Sequence, residues 1–164
     1  MRAKYLGLDL PSPIIVSSSP YTSNVKSVEQ CAASGAGAVV LEIHIRGADP
    51  APCGCAGHRI RLAYGDAEVY LQRYLGEDYK AGFLRLVQEA RSKTELPVIA
   101  SINCVVDKGD WIEYATAMAD AGASALELNI FIQSTDIHAQ ARELELNYAE
   151  IVGRVAGAVK IPFR

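Results

Sequence analysis

The stretch Ser34-Gly35-Ala36-Gly37-Ala38-Val39-Val40-Leu41-Glu42 decides the fold reading, because it returns in altered wording as Ala121-Gly122-Ala123-Ser124-Ala125-Leu126-Glu127-Leu128-Asn129. In each copy a glycine stops a helical pattern and a short apolar run follows at once, as where a helix feeds a buried strand. A second pair repeats in the same way: Pro13-Ile14-Ile15-Val16-Ser17-Ser18-Ser19 lines up with Pro97-Val98-Ile99-Ala100-Ser101-Ile102-Asn103. Interleaved repeats of this kind mark a recurring β/α unit.

Four strands follow from the apolar runs: Pro13 to Ser17, Ala38 to Leu41, Pro97 to Ser101 and Ala125 to Asn129. Four helices fit between and after them. Val25, Val28 and Cys31 recur at helical spacing behind the capping candidates Ser23 and Asn24; Phe83, Leu84, Val87 and Ala90 mark the next helix. Trp111, Ile112, Ala115 and Met118 mark a third, and Leu144, Tyr148, Ile151, Val152 and Val155 a fourth. Ile161-Pro162-Phe163 reads as the start of a fifth strand. The alternation predicts an α/β fold: a TIM-type (β/α) barrel, N-terminal half, with about four of the eight units in one partial domain spanning the chain. Tyr5-Leu6-Gly7-Leu8-Asp9-Leu10 alternates like a small hairpin strand placed to close the N-terminal mouth of such a barrel. Residues 47–61, rich in Gly, Ala, Pro and Cys, read as a loop of unusual length.

Composition narrows the function classes. Half of the 164 residues are hydrophobic, and 16 basic against 19 acidic residues leave a net charge of −3 with no basic stripe. Neither nucleic acid nor an anionic membrane is an expected partner. The N-terminal residues alternate instead of forming an apolar leader, and no run approaches membrane-spanning length, so the expected location is cytoplasmic. The four cysteines are accordingly read as thiols.

The motifs now quoted, with Tyr5-Leu6-Gly7-Leu8, Ile99-Ala100-Ser101-Ile102-Asn103-Cys104 and Glu127-Leu128-Asn129-Ile130-Phe131, resemble the dihydroorotate-dehydrogenase-like, FMN-dependent oxidoreductases. Five motifs in order at barrel spacing cover most of the chain outside the loop. The resemblance implies a flavin-dependent oxidation of a C–C single bond by hydride transfer, in pyrimidine biosynthesis or a related setting. It implies FMN as cofactor and a small-molecule substrate. Ser18, Ser19, Asn103 and Asn129 match the family's flavin-contacting strand ends. A full barrel of this kind takes roughly 250 residues, so the chain corresponds to the N-terminal half, and the family's later Lys and its phosphate-binding loops have no counterpart in it.

The chain departs from that pattern at three places. Glu42-Ile43-His44-Ile45-Arg46-Gly47-Ala48-Asp49 stands where the family has Lys-Ser-Ile-Phe-Glu-Glu-Gln-Ile, so an anion replaces a flavin-facing cation. After Asn129 come Ile130, Phe131 and Ile132, none of which can take a proton, where the dihydroorotate dehydrogenases proper carry a Cys or Ser base. The third departure is the later half already noted. For the first, the genetic code offers an account. The eight residues can be encoded GAA ATC CAT ATT CGA GGA GCA GAT C; without the first base the same string spells Lys-Ser-Ile-Phe-Glu-Glu-Gln-Ile. Residues 42–61 are therefore expected to be an aberrant loop read out of frame, with family-like sequence resuming near Ala63-Tyr64-Gly65-Asp66.

Other chemistry-bearing residues receive plainer readings. Cys53, Cys55 and His58 are soft ligands within six positions, but a closed zinc site needs four, and no metal is expected. Cys104 has no histidine placed to activate it and reads as a packed thiol. His138 reads as a loop residue, Trp111 as core, and Tyr64, Tyr70, Tyr74 and Tyr79 form no stacking ladder. The alternative to an oxidoreductase is a non-catalytic half-barrel, a truncated product or interaction module that self-associates through open sheet edges.

Overall fold

The computed structural model describes residues 1–45, 78–104, 108–132 and 140–164, with the backbone alone described at 42–45, 78–79 and 108–109. Strands β1 (Ala3–Tyr5) and β2 (Leu8–Leu10) form an antiparallel hairpin. Then follow β3 (Ile15–Val16), a 3₁₀ turn (Pro20–Ser23), α1 (Val25–Ala33), β4 (Ala38–Ile45) and α2 (Asp78–Lys93). The chain continues through β5 (Val98–Cys104), α3 (Lys108–Asp120), β6 (Ala125–Leu128) and α4 (Ala141–Ala158). The result is a mixed α/β architecture in which a four-stranded parallel sheet, ordered β3-β4-β5-β6, is flanked by helices.

The repeated helix-to-strand joint is built the same way twice. Gly35 (φ +84) and Gly122 (φ +98) take the left-handed conformation that a residue without Cβ adopts freely. Around them, Gly35 N–H donates to Ala32 O and Ala36 N–H to Cys31 O; Gly122 N–H donates to Ala119 O and Ala123 N–H to Met118 O. These are paired Schellman bonds, which satisfy carbonyls that the helix end leaves open. Two residues beyond each glycine, the backbone reaches the preceding strand: Gly37 N–H donates to Ile14 O and Ser124 N–H to Val98 O, both at 2.7 Å. At the other end of α1, Asn24 and not Ser23 is the cap, its side chain accepting from Ser27 N–H at 2.9 Å.

The two faces of the sheet differ. On one, Val39, Leu41, Val98, Ala100, Ile102 and Leu126 are buried against helical residues that include Val28, Val87, Ala90, Trp111, Met118 and Val155. Neighbouring helices pack side by side in chain order, α1 on α2, α2 on α3 and α3 on α4. Trp111 is thus a core residue, 3% exposed. Full burial of each large aliphatic side chain is worth about 1.5–3 kcal/mol. On the opposite face Ala38, Val40, Ile99 and Ala125 are covered by the hairpin through Leu10, Leu8, Tyr5 and Leu6. Leu6 adopts φ +50 in the two-residue turn, and its side chain packs into this cluster.

Boundaries differ from the sequence reading at all four strands, by a residue or more at β5 (Val98–Cys104 against 97–101) and by one residue at β6 (Ala125–Leu128 against 125–129). The first contains only Ile15 and Val16 as ladder residues, since Pro13 has no N–H to donate. The second runs on to Ile45, pairing Glu42 with Ser101 and Ile45 with Cys104. Residues 42–45 are therefore strand and not the beginning of a loop; Ile43 and Ile45 continue the alternation. The remainder of that segment, 46–61, lies outside the described residues, as do Cys53, Cys55, His58, Tyr64, Tyr70, Tyr74 and His138. The expected fifth strand is present as a parallel bridge between Phe163 and Leu126. It is held by Leu126 N–H to Pro162 O, Arg164 N–H to Leu126 O and Leu128 N–H to Arg164 O.

Among the described glycines, Gly37 is the one with no room for a side chain. A Cβ there would overlap the Ser12 carbonyl oxygen and come within 3.2 Å of Ile14 O, whereas a Cβ at Gly153 in α4 meets nothing within 4 Å. Gly37→Ala is expected to destabilise the fold by about 3 kcal/mol. Gly153→Ala should instead stabilise it by about 0.5–1 kcal/mol through helix propensity and loss of unfolded-state freedom. Urea unfolding of the two variants checks the opposite signs.

Candidate functional site

Because the four strands are parallel, their C-terminal ends share one edge of the sheet. Ser18 and Ser19 follow β3 there, Asn103 is the penultimate residue of β5, and Asn129 immediately follows β6. The Asn129 N–H donates to Ile102 O at 2.8 Å, which sets it level with Asn103 on the neighbouring strand. Asn129 is exposed and Asn103, Ser18 and Ser19 are half-buried. The Ser19 backbone is pinned by Thr22, which is fully buried: Thr22 N–H and Oγ1–H both donate to Ser19 O, at 2.9 and 3.0 Å. All four residues named from the sequence thus reach the same edge, spread along β3, β5 and β6.

The residues lie in rows up the face opposite the helices. Val40, Ile99 and Ala125 make an apolar row; Glu42, Ser101 and Glu127 are the next row by backbone register; His44 and Asn103 stand above them. The middle row contains a polar network that reading the sequence did not single out. Ser101, 4% exposed, donates its hydroxyl to Glu127 Oε1 at 2.6 Å. Arg164 donates from Nε to Glu127 Oε2 at 2.7 Å and closes an ion pair to the same oxygen through Nη2. Its Nη1 donates to the Tyr5 hydroxyl at 2.5 Å, with the guanidinium 5.6 Å from the Tyr5 ring centre. The hydrogen bond to Glu127 raises the pKa of the Arg164 guanidinium, which is charged in any case. Period-two spacing was the available signal, since Ser101 and Glu127 each stand two residues before a named asparagine.

Cys104 belongs to the helix-side core and is buried there. Burial, reinforced by the nearby Asp110 carboxylate, pushes its thiol up to about 12 from an ordinary 9.0. A thiol so strongly protonated is not a nucleophile at neutral pH. Phe131, in the segment after β6, is 73% exposed, and Ile130 and Ile132 contact the helix-side core. Among the described residues no group of His, Cys, Asp or Glu is arranged to hold a metal ion, and no helix is long and apolar enough to cross a membrane.

No family model matches the chain.

The raised Cys104 pKa has a consequence for stability. Between about pH 9 and 12 the folded thiol keeps its proton while the unfolded thiol loses its own, so this group's contribution, complete below pH 9, is lost as pH rises through that window. Stability of the wild type should therefore fall more steeply with alkaline pH than that of Cys104→Ala. Guanidinium melts at pH 8, 9 and 10 read the difference in slope. Equal slopes would refute it.

Proposed function

We propose that the chain is the N-terminal half of a (β/α) barrel in a dihydroorotate-dehydrogenase-like, FMN-linked oxidoreductase acting on a small molecule in the cytoplasm. One observation carries the reading: the strands run β3-β4-β5-β6 without reversal, and the core against α1 to α4 lies on a single face. A doubly wound sheet reverses its strand order and covers both faces with helices, whereas a barrel winds in one direction and keeps its helices outside. The hairpin on the opposite face fits a plug at the N-terminal end of the barrel interior.

The residues at the strand ends suit a flavin ring edge. Asn103 and Asn129 each offer an amide donor and acceptor, and Ser18 and Ser19 offer hydroxyls, which is the complement that alternating ring nitrogens and carbonyls require. The Glu127 charge on this face is neutralised by Arg164. Bound FMN supplies the hydride-accepting chemistry; this chain's own residues bind and orient. Ile130, Phe131 and Ile132 move no proton, and no catalytic base is assigned.

A second reading, a non-catalytic module that self-associates, draws on the sheet edges. The β6 edge is taken by residues 162–164, while among the described residues β3 pairs only with β4 and is preceded by Ile14, 65% exposed. Light scattering after size-exclusion chromatography separates a dimer from a monomer.

Titration of the purified protein with FMN, followed by quenching of flavin fluorescence and by visible absorbance, tests the first reading. Asn103→Ala and Asn129→Ala are each expected to weaken FMN binding about tenfold, the worth of one well-formed hydrogen bond. Lys93→Ala, on the exposed end of α2, should leave binding unchanged. A colourless protein that takes up no FMN overturns the reading.

A further inference from the structure

The polar network in the middle row joins parts of the chain that are remote in sequence. Tyr5 lies in the hairpin, Ser101 in β5, Glu127 in β6, and Arg164 in the segment bridged to β6; Tyr5 and Arg164 are 159 residues apart. Both Glu127 oxygens are engaged, one by Ser101 and the other by Arg164, so the carboxylate is fixed from two sides. A planar guanidinium held in this way has one remaining nitrogen aimed at the hairpin, and Nη1 meets the Tyr5 hydroxyl. Both segments have short backbone ladders. The hairpin has three residue pairs and lies on the sheet through Leu10 and Tyr5, and the C-terminal segment joins β6 by a single bridge with three backbone hydrogen bonds, with Ile161 and Phe163 packed against the helix-side core. Two-stranded hairpins are marginal without such packing.

We propose that Tyr5, Arg164, Glu127 and Ser101 form a clasp that makes the N-terminal hairpin and the C-terminal segment open and close as one unit, covering the face below Asn103 and Asn129. The clasp does not depend on a flavin. Opening either segment breaks the Tyr5–Arg164 contact, and the guanidinium then loses either its partner on the hairpin or its anchorage beside Glu127. The two openings are therefore coupled, below the level of global unfolding.

Native-state hydrogen exchange on the full chain tests this, reading the amides of Leu8 and Leu10 in the hairpin and those of Leu126, Leu128 and Arg164 at the bridge. Arg164→Met keeps the stem of the side chain and removes the guanidinium; Tyr5→Phe keeps the ring and removes only the hydroxyl. Each is expected to accelerate exchange in both segments together, by about tenfold for one lost hydrogen bond, while Val40 and Ile99 exchange as in the wild type. Should Arg164→Met prevent folding, Tyr5→Phe still decides the matter, because its effect on the bridge amides can reach them only through Arg164. Acceleration confined to the segment that carries the substitution, or none in either, overturns the clasp.

Discussion

The architecture depends on a backbone contact made at the same place in two alternate units, where α1 feeds β4 and where α3 feeds β6. Just past each Schellman glycine, an N–H two residues on donates at 2.7 Å to the strand before it: Gly37 to Ile14 and Ser124 to Val98. That bond sets where the new parallel strand begins beside the old one. Since side chains alternate in period two, the starting point also decides which face every later residue occupies. At Gly37 the approach is so close that the Ser12 carbonyl leaves no space for a side chain.

Consequences run up both faces from that register. On the helix side, Val39, Leu41, Val98, Ala100, Ile102 and Leu126 join one continuous apolar core. Cys104 falls into the same core, which is why its thiol is inert. On the other side the order from the hairpin upward is apolar, then Ser101 with Glu127, then Asn103 and Asn129 at the C-terminal edge. Burying a charged carboxylate on a sheet face is costly without partners. Glu127 has two, from β5 and from the C-terminal segment, so the polar row is accommodated within the fold.

The sequence by itself determined what is local. Helix stops at Gly35 and Gly122, Asn24 as one of two cap candidates, and four parallel strands with their polar ends are written in short-range spacing and reappear in the structure, whereas residues 5–10, read as one alternating strand, contain the hairpin turn at Leu6-Gly7. Placement of Ser18, Ser19, Asn103 and Asn129 at one edge followed, because strand ends of parallel β/α units necessarily coincide. Reading the chain underestimated β4, for Glu42 and His44 look like the end of an apolar run, whereas Ile43 and Ile45 continue the ladder against β5. Only tertiary structure decided the Tyr5–Arg164–Glu127–Ser101 network. Its members belong to four separate elements, and no local pattern pairs a tyrosine with an arginine 159 residues away. Their meeting is the summed result of every strand register between them.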